Sequence, residues 1–395
     1  MTINYHGDTH RTRIRLLLHP KGAVRIVTVT YFQLCRPRAF ISESYLLPGG
    51  VAVGNFTKSG WVRVHGLARV WAVLFVFLLL NAGSALAQSD PLPSWNDGPN
   101  RTAIVDFVKR VTTDGSADFV APVDRIAVFD NDGTLWAEKP VPFELFFALD
   151  EVKRLAPEHP EWKDTEPFKS VLANDLAGVE ASGMKGMLEI MAATHAGMST
   201  EAFSKTVADW FATAKHPVRQ KPYGELVYQP QLELLAYLRD NGFRTFIVSG
   251  GGVEFMRVFA DKIYGVPPEQ VIGSSGVVKY QLGADGKPEL MKEPKVEFID
   301  DGPGKPVGIN RFIGRWPIMA IGNSDGDREM LEYTTAGSGA RLAVYIHHDD
   351  AEREYAYDRT DKLAKFDKGW DEAVTKGWQV VSMKNDWKVI FPPSK

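Results

Sequence analysis

A chain of 395 residues with 44% hydrophobic content has room for two domains and ample material for a buried core. Its formal charge of −3 is unevenly spread: residues 1–87 hold ten Lys and Arg against two Asp and Glu, leaving 36 basic and 47 acidic residues beyond. That acidic body offers no electrostatic footprint for nucleic acid, and a single cysteine, Cys35, excludes an internal disulfide.

Residues 1–68 are rich in arginine, have no amphipathic period and receive no fold or function from sequence. Met1 is the only methionine before Met184. An over-extended start is therefore expected, with a shorter product opening on a non-Met codon near Val62 to Leu67. Arg69 then precedes the apolar run Val70 to Leu80, and Ala85 and Ala87 form an A-x-A cleavage pattern before Gln88. This predicts a signal peptide over 69–87 and a periplasmic or secreted product with no stable membrane association after cleavage. An uncleaved anchor is the competing reading, but the strongly apolar stretch falls short of the ~20 residues a span needs. Cys35 lies upstream of the cleavage site, so the exported chain would have no thiol nucleophile and no thiolate zinc site.

A Pro- and Asp-rich lead-in, 89–100, precedes an amphipathic segment at 101–111. The β-branched and aromatic run Arg125-Ile-Ala-Val-Phe129 predicts a buried strand, broken by Gly133. It delivers Asp130 to the strand's carboxyl end and Asp132 to the following turn. In open α/β sheets ligands bind at that edge. Two acids there can share one job, as nucleophile and as acid/base partner; Asp and Asn are also ordinary turn formers. From Phe143 to Ala212 the apolar spacing is helical, in four segments with Pro, Gly and Ser-Thr breaks. Phe143, Phe146 and Phe147 read as packing, while Trp136 is the aromatic expected nearest a substrate.

A second buried strand, Phe243 to Val248, ends in Ser249-Gly250-Gly251-Gly252, where a hydroxyl and unhindered N–H groups suit a phosphate oxygen. A hairpin is expected around Gly283 to Gly286. Lys305 stands near a helix start, placed to neutralise phosphoryl charge. A third strand, Pro317 to Ile321, runs into Gly322-Asn-Ser-Asp-Gly-Asp327, whose oxygens suit Mg²⁺ or cap the helix that follows. Arg341 to Ile346 predicts another strand. His347 and His348 have metal-ligand chemistry, but adjacent strand residues face opposite ways, which argues against a second metal site. Two apolar segments opening at Trp378 and Trp387 close the chain, and there is no internal repeat.

In this order the four loops resemble the motif set of the haloacid dehalogenase (HAD) superfamily, over roughly Asp124 to Ile346. The resemblance implies a Rossmann-like parallel sheet with helices on both faces. The core would comprise 88–136 and 229–395, and a helical cap would be inserted over 137–228. It implies that Asp130 attacks phosphorus to form an aspartyl-phosphate, while Asp132 protonates the leaving alcohol and then activates water. Ser249, Gly250 and Lys305 would hold the phosphoryl oxygens. Mg²⁺ would lie between Asp130, the Asp132 carbonyl and Asn323, supported by Asp327. The chain departs from the family at Asn323, where an Asp is usual, so this ligand lacks a formal charge; Asp325 is the alternative, and Asn323→Asp would be expected to tighten metal binding. The cap position and the Ser-Gly-Gly turn look most like the phosphoserine phosphatase-like branch. The activity implied is an exported phosphomonoesterase for a small phosphorylated metabolite. A phosphomutase and a catalytically weakened phosphate-ester binder are the alternatives.

Overall fold

A computed structural model describes residues 2–7, 10–18, 24–32, 39–46 and 90–393. The chain divides into two compact units, Met1–Leu86 and Ala87–Lys395. The expected signal peptide, 69–87, and Cys35 lie outside the described residues. In the first unit, β1 (Thr2–Gly7), β2 (His10–Leu18), β3 (Val24–Phe32) and β4 (Ala39–Leu46) form an antiparallel sheet in chain order. The sequence alone assigns no fold to this stretch, yet Ile26 to Thr30 is a β-branched run of the kind that favours strands, and it lies in interior strand β3.

The second unit is built on an eight-stranded sheet. The strands are β5 (Ile126–Phe129), β6 (Arg244–Gly252), β7 (Val271–Leu282), β8 (Pro288–Phe298), β9 (Met319–Gly322), β10 (Leu342–Asp349), β11 (Ala356–Tyr357) and β12 (Gln379–Ser382). Their order is β11-β10-β9-β5-β6-β7-β8, with β12 parallel to β10 on the side away from β9. From β12 through β7 the pairs are parallel; β8 and β11 add antiparallel edges. This is the mixed α/β fold with a parallel core that the sequence implied.

Both faces are covered, which explains why the strands read as unbroken apolar runs. On β5, Ala127 and Phe129 face one core, with Ile104, Phe107, Val108 and Val111 of helix α1 (Pro99–Thr112). Those helix positions recur at three- and four-residue steps, one apolar stripe toward the sheet. Ile126 and Val128 face the opposite core, with Ile309, Met330 and Leu331. Burying Phe129 completely contributes roughly 1.5–3 kcal/mol.

Between β5 and β6 lies the helical insert: α2 (Phe143–Leu155), α3 (Phe168–Leu172), α4 (Leu176–Ala181), α5 (Gly183–His195) and α6 (Thr200–Thr213). Helix α7 (Gln229–Asp240) then leads back to β6. Leu145, Leu149, Val152, Trp162, Phe168 and Ile190 give the insert its own small core. Phe143 and Phe147 are fully buried and pack against the main core, in agreement with a packing role. The β7–β8 hairpin rises against this insert. Gly197 N–H donates to the Lys292 carbonyl and Lys292 N–H to the Met198 carbonyl, both at 2.9 Å. Lys292 Nζ pairs with Glu254 at 2.6 Å and lies over the Phe203 ring. Of the two closing segments, the first forms β12, whereas Trp387 makes only an isolated bridge to Trp95. Among the described residues, no helix is long and apolar enough to cross a membrane.

Candidate active site

The chain reverses direction across the sheet between β5 and β9: β6 and β7 are added on one side of β5, β9 and β10 on the other. Such a switch point opens a crevice at the strands' carboxyl ends. Phe129 pairs with Ile321 on one side and with Ile247 on the other. Asp130 and Asn323 therefore follow the ends of β5 and β9, Ser249 lies near the end of β6 beside them, and all three line a cavity of about 770 Å³. The Asp132, Gly250 and Lys305 side of the same cavity completes the expected set. The insert supplies the opposite wall, with Val141, Leu145, Met187 and Met191. A smaller cavity within the insert, about 230 Å³, contains none of these groups.

Lys305, on helix α8 (Gly304–Gly308), is 1% exposed and its ammonium is fully engaged. It donates to Asp130 Oδ1 at 2.8 Å, Asp327 Oδ1 at 2.5 Å and the Val248 carbonyl at 3.1 Å. Burial disfavours its charge, but the Asp130 and Asp327 carboxylates outweigh burial and hold its pKa above the ordinary lysine range. Burial likewise pushes the Asp130 carboxyl up; Lys305 opposes this, while Asp327 and Asp132 add to it. Asp132 is raised to about 7, chiefly by burial and then by the Glu138 charge, with the hydrogen bond from Trp136 working the other way. A carboxyl poised there can deliver a proton and take one back at neutral pH.

Trp136 is corrected by the structure. Its indole is fully buried, stacked on Phe259 at 4.6 Å between ring centres, and does not line the cavity. Its Nε1–H donates to Asp132 Oδ1 at 2.7 Å, so it fixes the acid instead of touching a substrate. Asp327 is fully buried; Oδ1 holds Lys305, and Oδ2 accepts from the N–H groups of Asn323 and Ser324 at 2.9 and 3.0 Å. It thus orients the lysine and folds its own loop. Asp325 turns away: its Oδ1 accepts from the N–H groups of Asp367 and Gly369, at 3.0 and 2.8 Å, and it is absent from the cavity wall. That geometry removes Asp325 as the alternative metal ligand.

Asn323 is held from both ends. Its Oδ1 accepts from Thr134 Oγ1 at 3.1 Å and its Nδ2 donates to Glu138 Oε1 at 2.7 Å. Glu138 and Glu144, both cavity residues, escaped the sequence reading because a single Glu in a loop or on a helix carries no spacing signal. Glu144 Oε2 accepts from Gly252 N–H at 2.6 Å and so ties α2 to the Ser-Gly-Gly turn. His348 Nε2 lies 2.7 Å from the Gly133 carbonyl, bracing the first loop, while His347 packs against Trp370. The two histidines do not converge. Among the described residues no three His, Cys, Asp or Glu side chains gather to hold a metal. A hard cation nevertheless fits the donors present. Asp130, Asp132 and Glu138 line one cavity, Asp327 lies behind Asp130 across Lys305, and among the described residues Lys305 is the one base ion-paired to any of the four. Oxygen ligands with surplus negative charge are what Mg²⁺ binds.

A family model for haloacid dehalogenase-like hydrolase matches residues 127–332, more than half of the chain. No curated protein matches. Solved structures similar to this chain include a conserved protein of unknown function from Anaerococcus prevotii DSM 20548. It shares 17% identity over 78% of this chain and 98% of that one, with a TM-score of 0.45. A phosphoserine phosphohydrolase-like protein from Francisella tularensis subsp. tularensis SCHU S4 shares 18% over 65% of this chain and 94% of its own, with a TM-score of 0.33. A protein of unknown function from Bordetella pertussis Tohama I shares 16% over 65% and 97%, with a TM-score of 0.40. By the match of the family model over residues 127–332, the chain belongs to the haloacid dehalogenase-like hydrolases.

Proposed function

We propose that this hydrolase is an exported, Mg²⁺-dependent phosphomonoesterase working through an aspartyl-phosphate. The observation that carries the reading is the pairing of unlike acids on one loop. Asp130 is gripped by Lys305, while two residues on Asp132 is held by an indole with its pKa near 7. Lys305 occupies Asp130 Oδ1, which leaves Oδ2 to attack phosphorus. As the new O–P bond forms, the bond to the leaving alcohol breaks and Asp132 gives that alcohol its proton. Water then attacks the aspartyl-phosphate, Asp132 takes the water's proton, and the Asp130 carboxylate returns with release of inorganic phosphate. Ser249 and the Gly250 backbone border the phosphoryl position beside Lys305 and would compensate charge on its oxygens. Asp130, Asn323 and the Asp132 carbonyl would hold Mg²⁺, which when bound withdraws charge from the phosphoryl group. Export rests on the apolar run Val70 to Leu80 and the Ala85/Ala87 pattern.

Release of phosphate from p-nitrophenyl phosphate, with and without Mg²⁺, is the direct test. Asp130→Asn should abolish release and leave circular dichroism unchanged, because the substitution is nearly isosteric. Residual turnover above a few per cent would remove Asp130 as nucleophile. Binding of phosphate esters without release would mark a binding protein, and the return of phosphate to a second hydroxyl a mutase.

A further inference from the structure

The loop after β5 and the loop after β9 meet at an unusual charge arrangement. A carboxylate is expected at position 323 and an amide stands there. Pressed against that amide is Glu138, 7% exposed, its Oε1 accepting from both Asn323 Nδ2 and Tyr357 Oη at 2.7 Å. Those two donors fill Oε1. Oε2 receives no protein hydrogen bond, and no Lys, Arg or His lies within ion-pair distance of either oxygen among the described residues. Glu138 also lines the cavity with Asp130, Asp132 and Asn323. The approach is close: a Cβ added to Gly133 would lie 2.1 Å from both Asn323 Nδ2 and Glu138 Oε1. Gly133 has a φ of +70°, so this contact depends on glycine both for space and for backbone conformation.

Burial disfavours the Glu138 charge most; the neighbouring His348 and Lys139 oppose burial, but neither pairs with the carboxylate, whose two hydrogen-bond donors are both neutral. Here its surroundings, Asp130 and Asp132, are acidic too. We propose that Glu138 is a metal-binding residue, supplying through Oε2 the negative charge that Asn323 lacks. The two residues divide the task of one acidic ligand: Glu138 brings the charge, and Asn323, pinned by Thr134, locks it in place. This inference rests on the metal dependence proposed above. It also reverses the expectation for Asn323→Asp. That change would delete the Nδ2 donor and set two carboxylates 2.7 Å apart, so alone it should not tighten metal binding.

The test uses the full chain, Mn²⁺ as probe and no substrate, with free Mn²⁺ read from its aqueous paramagnetic resonance signal. The parent should bind one Mn²⁺. Glu138→Gln, which keeps volume and polarity, should weaken binding roughly tenfold or more, with an unchanged circular dichroism spectrum. The double variant Glu138→Gln/Asn323→Asp moves the charge across the same hydrogen bond and should recover affinity to within a few-fold of the parent. Unaltered Mn²⁺ binding by Glu138→Gln would overturn the assignment while leaving metal dependence intact. A double variant as weak as Glu138→Gln would overturn the exchange of roles. No Mn²⁺ uptake by the parent would instead bring down the metal reading, and Glu138's role with it.

Discussion

Each donor of Lys305 has a committed acceptor, so the lysine defines where Asp130, the proposed nucleophile, stands. Asp132 is fixed differently, by a single indole N–H that stabilises its charged form. In the proposed mechanism release of the alcohol needs Asp132 protonated, so kcat/KM for a poor leaving group should fall as pH rises through about 7. Trp136→Phe removes the donor, favours the neutral acid and should carry that falling limb to higher pH. Comparing both proteins on one ester between pH 5 and 9 cancels the substrate's own ionisation. A limb that stays put would show that the indole does not tune Asp132. Asp132→Asn should cost roughly 10²–10⁴-fold on the same ester. None of this coupling is visible in sequence: Asp132 and Trp136 are plain in the motif, but which way an indole points depends on Phe143, Phe259 and the buried layer around them.

At the level of elements, the loop Gly322 to Asp327 serves two neighbours. Asp327 faces the lysine, whereas Asp325 reaches the start of helix α9 (Lys368–Lys376) and caps its first N–H groups. Asp325→Ala should therefore lower stability by about 0.5–2 kcal/mol, read as a lower melting temperature, and leave the Mg²⁺ titration of activity unmoved. A displaced titration would return Asp325 to the metal shell. Strands β5, β6, β9 and most of β10 are legible because their residues are largely buried on both faces, and Asp130, Ser249, Lys305 and Asn323 because each lies at or faces such a strand's end. Glu138 is not, since its partners Asn323 and Tyr357 are 185 and 219 residues away in sequence. The strand at 342–349 runs three residues beyond its expected end, because β11 pairs with His348 and Asp349 and prolongs it. The strands at 2–7, 10–18, 24–32 and 39–46 pair with one another among the described residues, and their sequence holds no motif that would anchor them.

For the whole molecule, the charge of the cleft sets what can enter. Lys139 is paired with Asp361 at 2.6 Å, while Glu138, Glu144 and Asp301 also border the cavity. Esters of neutral alcohols should thus be hydrolysed with higher kcat/KM than phosphoserine, whose carboxylate meets these acids; the reverse ranking would contradict the electrostatic argument. The hairpin's grip on the insert has a consequence of another kind. The insert is joined to the sheet by the two chain crossings that flank it; Glu144 adds a tie to Gly252, and Gly197 and Met198 add another to Lys292 on the hairpin. These ties oppose a swing of the insert, which would then act as a fixed grating instead of a door. Selection would then fall on the dimensions of the opening: a small ester should be hydrolysed, and a phosphate displayed on a folded protein surface should not.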